Sequence, residues 1–490
     1  MNMIQGIYGF TFLLLFTFLG NCLFANGTWV GGTTGFWDDD TNWGGGVQPT
    51  ITDDVIIPAG VTVTIRVAGE FAQSVRINAG GTLNISAGDL TISESNRHGI
   101  FFPNGGTIDI AQGALLNISN TFADGIRVAN NTVIFNNAGS IAIANNIEGS
   151  GIRVLRMGIL NLTNSGTINL GPDIEEDGFF VDLAGSLNLI NRQNGIINGL
   201  PGINSQFFSI RSANTASIIS NFGRINIDMA GTEDDAIFIN SPNSRLINQR
   251  SGTIIASNVE DDVFNFDDGA SLENFGSITT SNTEDQAFDI SIPGFAINHA
   301  TGVININGVR DEEAIDVTGR FTNDGVINIT GVQGLDGGKS AIDLDDSGFF
   351  TNNNLINIAL EVSASAAIEV SSDGRLINSD CAIINITTQH RIENDGIFDN
   401  IGIITTVFTG SNFNSGMFNN SGIISAPQST FTLTPNGLVG NTPNDGPIPT
   451  NLSKCVFVPT MSEWGIVIFG LLILNLSVFS IRRKQSLLGT

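Results

Sequence analysis

Residues 310–329 read RDEEAIDVTGRFTNDGVINI, and this stretch contains the pattern that decides the fold. The segment AIDV alternates apolar and polar side chains, and the segment VINI follows it after a turn. Because successive side chains of a β-strand point to opposite faces, we expect Ile315 and Val317 to point inward and Asp316 to point outward. The carboxylates that crowd around the first segment can form a catalytic site, a metal site or a solvated surface.

The same segment recurs along the chain at a steady spacing of 24 to 29 residues. The residue expected to point outward in each copy is, in order, Phe101, Arg127, Arg153, Phe180, Ser209, Phe238, Asn265, Asp289, Asp316, Asp343 and Glu369. A second series of segments resembles VINI and a third resembles GRLIN, so each period contains three short strands. One such unit cannot bury its apolar side chains alone, whereas stacked units bury a continuous apolar column.

The repeat therefore predicts an all-β protein, a right-handed parallel β-helix (solenoid) of about 13 three-strand coils, with the hand taken from crossover chirality. The recurring asparagines are expected to hydrogen-bond to one another along the axis, and the glycines to occupy turns that need a positive φ. The predicted organisation is a signal peptide over 1–25, an N-terminal cap over 26–75, the β-helix repeats over 76–425, a C-terminal cap and Pro-rich linker over 426–457, and a sorting signal over 458–490.

Composition limits the partners that the chain can have. The balance of 20 Lys+Arg against 47 Asp+Glu gives a net charge of −27. Such a surface repels nucleic acid and anionic lipid, and it suits cations or an exported protein that stays soluble. Cys381 and Cys455 can form a disulfide in an oxidising compartment or remain free thiols, and both alternatives stay open.

The two ends of the chain predict export. Residues 7–25 form an apolar stretch typical of a signal peptide, with Ala25 as the last residue before cleavage. A lipoprotein signal at Cys22 is disfavoured because Asn21 occupies the position that needs a small residue. Residues 464–481 contain no charge and are long enough for one transmembrane helix. The basic tail that follows, 482–484, places that side in the cytoplasm.

The segment before the transmembrane helix, VPTMSEWG at 458–465, resembles the bacterial carboxy-terminal sorting signal of the Ile-Pro-Thr-Leu type. The residues that match this motif are Pro459, Thr460, Ser462, Glu463, Trp464 and Gly465. The resemblance implies a Gram-negative bacterium, a membrane-bound sorting machinery, cleavage near the motif, and a cell-surface or extracellular location after a transient stay in the inner membrane. A plain membrane anchor is the alternative.

The start of the mature chain also carries a resemblance. The segments WDDDTNW and DVIIP are similar to the leading part of bacterial surface β-helix proteins, a group with adhesin-like and pectate-lyase-like members. By analogy with this fold, the long faces of the rod are expected to contact glycans, matrix or neighbouring cells. We expect Trp29, Trp37 and Trp43 to fill a buried cap; exposed tryptophans that stack on sugars are the alternative.

The acidic residues of the later coils are the candidate site. Asp289, Asp316, Asp343 and Glu369 are expected to lie one above another, and further carboxylates precede the same strand at its entering turn. Those further carboxylates are Glu260, Asp261, Asp262, Asp311, Glu312 and Glu313. Two unit charges about 5 Å apart in water repel by about 1 kcal/mol, so a solvated face is tolerable. Binding of a divalent cation, most plausibly Ca²⁺, is the second interpretation.

Catalysis is the third interpretation. Glycoside hydrolysis needs two carboxylates at a defined separation, but this face offers too many candidates to choose a pair, and basic residues near it are scarce. His98, His299 and His390 fall in different coils, and we expect them to be surface residues rather than metal ligands or general bases. The sequence therefore predicts an exported cell-surface protein with a structural or adhesive role. The alternative is a polysaccharide-active enzyme, a lyase or a glycoside hydrolase, that uses the acidic face.

Overall fold

The computed structural model describes residues 27–425, apart from 147, 334–338, 362–363 and 409–410, and also residues 430–433. The predicted signal peptide, Pro-rich linker, sorting motif and transmembrane helix lie outside the described residues and stay predictions. Within the described part of the chain, no helix is long and apolar enough to cross a membrane.

The described chain is an all-β parallel solenoid of about 14 turns, which confirms the predicted fold class. Each turn carries three strands, one on each of three faces, and every strand pairs in parallel with its equivalent in the next turn. The short helical element Asp40–Asn42 lies in the N-terminal cap. Right-handed winding stays a prediction from chirality.

We call the three faces A, B and C. Face A contains Asp54–Ile57, Ser74–Ile77, Ile100–Phe102, Phe179–Val181, Phe208–Ile210, Ile237–Asn240, Phe264–Asp267, Phe288–Ile290, Ile315–Val317, Ile342–Leu344, Ala366–Val370, Arg391–Asn394, Ser411–Asn414 and Thr430–Leu433. Face B contains Thr34–Phe36, Thr62–Ile65, Thr82–Ile85, Gly106–Ile110, Ser186–Asn191, Ile218–Asn221, Arg245–Asn248, Ser271–Asn274, Phe295–Asn298, Arg320–Asn323, Phe349–Asn352, Arg375–Asn378, Ile397–Asn400 and Met417–Asn420. Two long strands, Ile126–Asn137 and Ile152–Asn164, run through both faces.

Face C forms a separate sheet. Its strands are Glu70–Ala72, Asp89–Ser93, Leu115–Thr121, Ser140–Asn146, Thr167–Leu170, Ile196–Gly199, Arg224–Asp228, Thr253–Val259, Ser277–Thr283, Val303–Val309, Val326–Thr330, Leu355–Ala359, Ile383–Ile386, Ile403–Thr406 and Ile423–Ser425.

The core is the apolar column that the alternation predicts. Ile315 and Val317 are fully buried, while Asp316 between them is half-buried. Aromatic rings of successive turns stack inside the column, as for Phe321 and Phe350, whose ring centroids lie 4.9 Å apart. Stacking therefore buries side chains that a single turn would leave exposed to water.

A ladder of buried asparagines runs along the end of face B. Each Nδ2 donates a hydrogen bond to the Oδ1 of the next asparagine at 2.7–2.9 Å, from Asn137 to Asn420. The same amide groups also bond to backbone carbonyls, as Asn298 does to Val326 at 3.2 Å. Because a buried amide without a partner costs free energy, the ladder fixes the register of neighbouring turns. The predicted hydrogen bonding along the axis is confirmed.

The glycine that follows this ladder is needed for a reason other than a positive φ. A Cβ atom at Gly325 would lie 2.3 Å from the carbonyl oxygen of Gly302 in the previous turn and 2.7 Å from Nδ2 of Asn298. The predicted positive φ does hold elsewhere, for example at Gly60, whose φ is 70°. At Gly325 the close approach of stacked turns excludes a side chain.

The N-terminal end of the column is covered by tryptophans. Trp29, Trp37 and Trp43 are 4%, 0% and 1% exposed, so the buried cap is confirmed and sugar stacking by these rings is excluded. Trp43 packs edge-on against both other rings and donates from Nε1 to the Trp37 carbonyl at 2.7 Å. Parallel stacking begins within the predicted cap, since Asp54–Ile57 already pairs with Ser74–Ile77.

One cysteine question is partly answered. Cys381 lies in a turn with a φ of 65° and is disulfide-bonded. Cys455 lies outside the described residues, so the pairing of these two cysteines stays a prediction.

Candidate cation-binding flank

The outward residues of face A form one continuous ladder, which we call the outer ladder. Phe101 pairs with Arg127, Arg127 with Arg153, and each later member with the next as far as Glu369. The register extends the ladder by Arg76 below and Glu393 above. The predicted alignment of these side chains is therefore correct, and the ladder changes from aromatic and cationic to acidic along the solenoid.

The cationic part of the ladder surrounds a buried carboxylate. Asp124, whose side chain is 1% exposed, lies at the turn that enters face A. Its carboxylate oxygens lie 3.2 Å from Nδ1 of His98, 3.3 Å from Nη1 of Arg127 and 3.6 Å from Nη1 of Arg153. It also accepts a hydrogen bond from the Ser150 N–H at 3.2 Å. The positive charges of these turns are thus largely neutralised within the protein.

Among the described residues, no basic side chain forms an ion pair with the four acidic members Asp289, Asp316, Asp343 and Glu369. Burial, reinforced by repulsion from neighbouring carboxylates, raises the pKa of Asp316 to about 7 and the pKa of Asp343 to about 8. Burial is also the main cause that raises the pKa of Asp289 and of Glu369. One buried oxygen each of Asp316 and Asp343 receives no hydrogen bond from the described residues. These four carboxylates are therefore costly to ionise together.

The entering turns bring a second set of carboxylates together. Oxygens of Asp235, Asp261 and Asp262 all lie within 4.8 Å of one another. Two oxygens on opposite sides of a Ca²⁺ ion are about 5 Å apart, so these three side chains can share one cation. Burial raises the pKa of Asp235 to about 7 and holds the pKa of Asp262 well above its ordinary value. Glu260 is half-buried and outside this group of three.

Asp235 is the member of this group that the predicted cation site omits. It occupies the same position of the entering turn as Asp262, one turn earlier, and the Asp262 N–H donates to its Oδ1 at 3.3 Å. The repeat places both residues two positions before the first residue of a face A strand. The sequence places Asp235 in the same series of entering-turn carboxylates, at 233–235, 260–262, 284–285 and 311–313, although it was not among the predicted cation ligands.

A lysine lies within the acidic region, where the sequence indicated that basic residues are scarce. Nζ of Lys339 lies 2.7 Å from Oε2 of Glu312 and 3.4 Å from Oε1 of Glu313. Burial raises the pKa of Glu313 to about 7, although Lys339 opposes the shift. Pairing with Glu312 and Glu313 raises the pKa of Lys339. The lysine was missed because it lies in a turn outside the strands, where the two-residue alternation gives no position for a side chain, although it stands one period, 26 residues, after Glu313.

The remaining predicted carboxylate, Asp311, belongs to the wall of the entering turns. It is half-buried, and its N–H donates to the Glu284 carbonyl at 2.8 Å. Burial, followed by repulsion from Asp261, Glu312 and Asp311, raises the pKa of Asp285 to about 6. The structure therefore places Asp311 in the same electrostatic environment as the other predicted site residues.

The histidines remain separate in the structure. His98 belongs to the Asp124 cluster, and His299 stacks on Phe275 with ring centroids 3.8 Å apart. His390 is 7% exposed, which corrects the expectation that it lies at the surface, and burial lowers its pKa. These three rings do not share a site.

No family model matches the chain, and no curated protein matches it either. The functional conclusion therefore depends on the solenoid and on the chemistry of this flank.

Proposed function

We propose that this chain is an exported cell-surface protein of a Gram-negative bacterium and that its β-solenoid has a structural or adhesive role. The observation that carries the proposal is the nearly unbroken stacking of face A, from Asp54–Ile57 to Thr430–Leu433. Active sites commonly interrupt a repeat with long loops, whereas adhesive and structural solenoids present long regular faces. The step from fold to function rests on this analogy.

Two features of the sequence support export and sorting. The apolar segment 7–25 has the composition of a signal peptide, and the motif at 458–465 resembles a bacterial sorting signal. A net charge of −27 favours solubility outside the cell and disfavours contact with nucleic acid. The membrane and the sorting machinery are then transient partners, and glycans or matrix are the lasting ones.

A polysaccharide-active enzyme is the second candidate, and one observation favours it. Lys339 contacts Glu313, whose pKa burial raises to about 7. The outer ladder beside it contains Asp316 and Asp343 with similarly raised pKa values. A proton-accepting carboxylate with a pKa near neutrality beside a cation is a common arrangement for acid–base catalysis.

The two candidates are separated by one pair of measurements on the full chain. The first follows surface exposure of the chain on intact cells, with and without the substitution Trp464→Ala in the sorting motif. The second follows retention and depolymerisation of polysaccharides by the purified chain, with and without Ca²⁺. We expect surface exposure that the substitution abolishes, and retention without cleavage. Cleavage that Glu313→Gln abolishes would replace the adhesive proposal with the enzymatic one.

A further inference from the structure

A groove on face B is lined by a cation and no carboxylate, although the protein as a whole is acidic. It has a volume of about 650 Å³ and lies over the face B strands that begin at Phe295, Arg320 and Phe349. We call it the Arg320 groove, and its walls include Ile292, Phe295, Arg320, Ser347 and Phe349. Its lining contains one guanidinium and no carboxylate, in a chain with 47 acidic residues.

Arg320 stands between two phenylalanines in the register of face B. Phe295 pairs with Arg320, and Arg320 pairs with Phe349 in the next turn, so the three side chains project outward in one column. Phe295 is 36% exposed and Ile292 is 53% exposed. The neighbouring Arg375 lies over the Phe349 ring at 5.8 Å from its centroid. The groove thus offers an aromatic side chain on each side of one cation.

Arg320 differs from the two other arginines of its column by lacking a carboxylate. Arg245 pairs with Glu273, and Arg375 pairs with Asp399 at 2.7 Å. In both cases the carboxylate residue belongs to the next turn of the solenoid. There it pairs with the residue two positions after the arginine, as Glu273 does with Ile247 and Asp399 with Ile377.

The equivalent position for Arg320 is Thr351, which pairs with Thr322. Arg320 forms no ion pair with any residue that the structure describes. The two other arginines of this column are neutralised by carboxylates. The guanidinium of Arg320 is therefore available to bind an external anion.

We propose that the Arg320 groove binds an anionic glycan, with the carboxylate or sulfate of one sugar on Arg320 and sugar rings against Phe295 and Phe349. Guanidinium groups bind such anions with paired N–H donors. The hydroxyls of Thr322 and Ser347 face the same groove and can bond to sugar hydroxyls. This inference deepens the proposed adhesive function and rests on it.

A peptide fits this groove less well than a glycan. Peptides that bind to a sheet commonly add a strand to an open edge. The face B strands that line the groove are paired on both sides, as Arg320–Asn323 is with Phe295–Asn298 and with Phe349–Asn352. No strand edge is open at the groove within the described residues, so side chains must supply the contacts.

The test measures binding of the full chain to a glucuronate-containing hyaluronan tetrasaccharide, its carboxyl-reduced counterpart and a sulfated heparin tetrasaccharide. We expect at least one anionic probe to bind and the carboxyl-reduced probe to bind weakly. Arg320→Gln should weaken binding about tenfold to a hundredfold, because a hydrogen-bonded charge contributes about 1.5–3 kcal/mol. Equal binding of the carboxylated and carboxyl-reduced probes, without binding of the sulfated one, would overturn the proposal.

Two further variants remove ambiguity. Thr351→Glu places a carboxylate at the position equivalent to Glu273 and Asp399, where it can form an ion pair with Arg320. This variant should lose glycan binding and keep the melting temperature of the parent. Arg245→Gln, in the same column but paired with Glu273, should leave the dissociation constant within about twofold. Unchanged binding in Thr351→Glu contradicts the proposal.

Competition with an acidic peptide distinguishes a glycan ligand from a peptide ligand. The cellular assay distinguishes failure of this inference from failure of the proposed function. Polyglutamate that displaces the tetrasaccharide at equal concentration would overturn the assignment to a glycan. A chain that reaches the cell surface and adheres, but is indifferent to Arg320→Gln, refutes this inference alone. A chain that binds the tetrasaccharide through Arg320 but is not exported refutes the proposed function alone.

Discussion

The early and late turns of face A share the same parallel register but differ in the charges that their outward side chains carry. In the early turns the buried carboxylate of Asp124 is surrounded by His98, Arg127 and Arg153. In the late turns Asp316 and Asp343 stand in the ladder positions of those arginines, and their neighbours are further carboxylates. The comparison shows that the apolar column and the asparagine ladder specify the fold, while the outward side chains are left to function.

Breaking the early cluster should have the largest effect. Asp124→Asn leaves two guanidinium groups without their shared buried partner, and we expect a loss of about 2–3 kcal/mol in unfolding free energy. The expected loss is below the range for a fully buried pair because Arg127 and Arg153 are 28% and 22% exposed. Chemical denaturation at neutral pH measures it.

The matched control is Glu176→Gln. Glu176 contacts the same Arg153 at 2.6 Å, but its side chain is 40% exposed. A solvent-screened ion pair contributes about 0–1 kcal/mol, so this variant should be nearly neutral. Similar losses in both variants would contradict the view that burial of Asp124 organises the early turns.

The late turns should respond to pH in the opposite sense from an ordinary salt-bridged protein. Burial and neighbouring carboxylates raise the pKa of Asp343 to about 8 in the folded state, whereas its ordinary value is 3.8. The folded state therefore binds the proton more tightly than the unfolded state. The contribution of this group to stability is highest below pH 4 and declines as the pH rises to about 8.

Asp343→Asn should remove this decline. Relief of repulsion between charges about 5 Å apart amounts to about 1 kcal/mol, so the variant should melt at a higher temperature than the parent at pH 8 and similarly at pH 4. Asp109→Asn is the control, because Asp109 lies on face B between Asn84 and Asn136 rather than between carboxylates. A parallel pH profile for parent and Asp343→Asn would show that the late carboxylates do not interact as described.

The sequence predicted the repeat, and the repeat predicted which side chains meet. The alignment of Phe101, Arg153, Asp316 and Glu369 followed from the period alone, because stacking turns residues one period apart into neighbours. The role of Lys339 could not be predicted in this way. It lies outside the strands, and its contact with Glu312 depends on how the preceding turn approaches the flank.

The same limit applies to the groove on face B. The GRFTN segment was recognised only as a member of the third series of strands, and the lack of a carboxylate partner for Arg320 depends on a diagonal relation between residues of neighbouring turns. The buried His390 was missed because its position follows a turn rather than the two-residue alternation of a strand. Alternation determines inside and outside within strands, and it gives no information on side chains in turns.

The cation hypothesis gives the smallest expected effect and the most direct distinction between the early and late turns. Ca²⁺ shared by Asp235, Asp261 and Asp262 would reduce their mutual repulsion and bind the folded state alone. At a concentration about three times the dissociation constant, mass action adds about 0.8 kcal/mol of stability. We expect a small rise in melting temperature in millimolar Ca²⁺ at pH 8, reversed by a chelator.

Two variants locate the effect. Asp262→Asn should abolish the response to Ca²⁺, because it removes the most buried oxygen ligand of the three, whereas Glu176→Gln in the early turns should retain it. The rise should also shrink below pH 7, since Asp235, with a pKa of about 7, is then protonated and a protonated carboxyl group is a poor ligand. A melting temperature that does not change with millimolar Ca²⁺ at pH 8 would leave the late carboxylates as a solvated surface. The difference between the two regions would then be one of solubility rather than of metal binding.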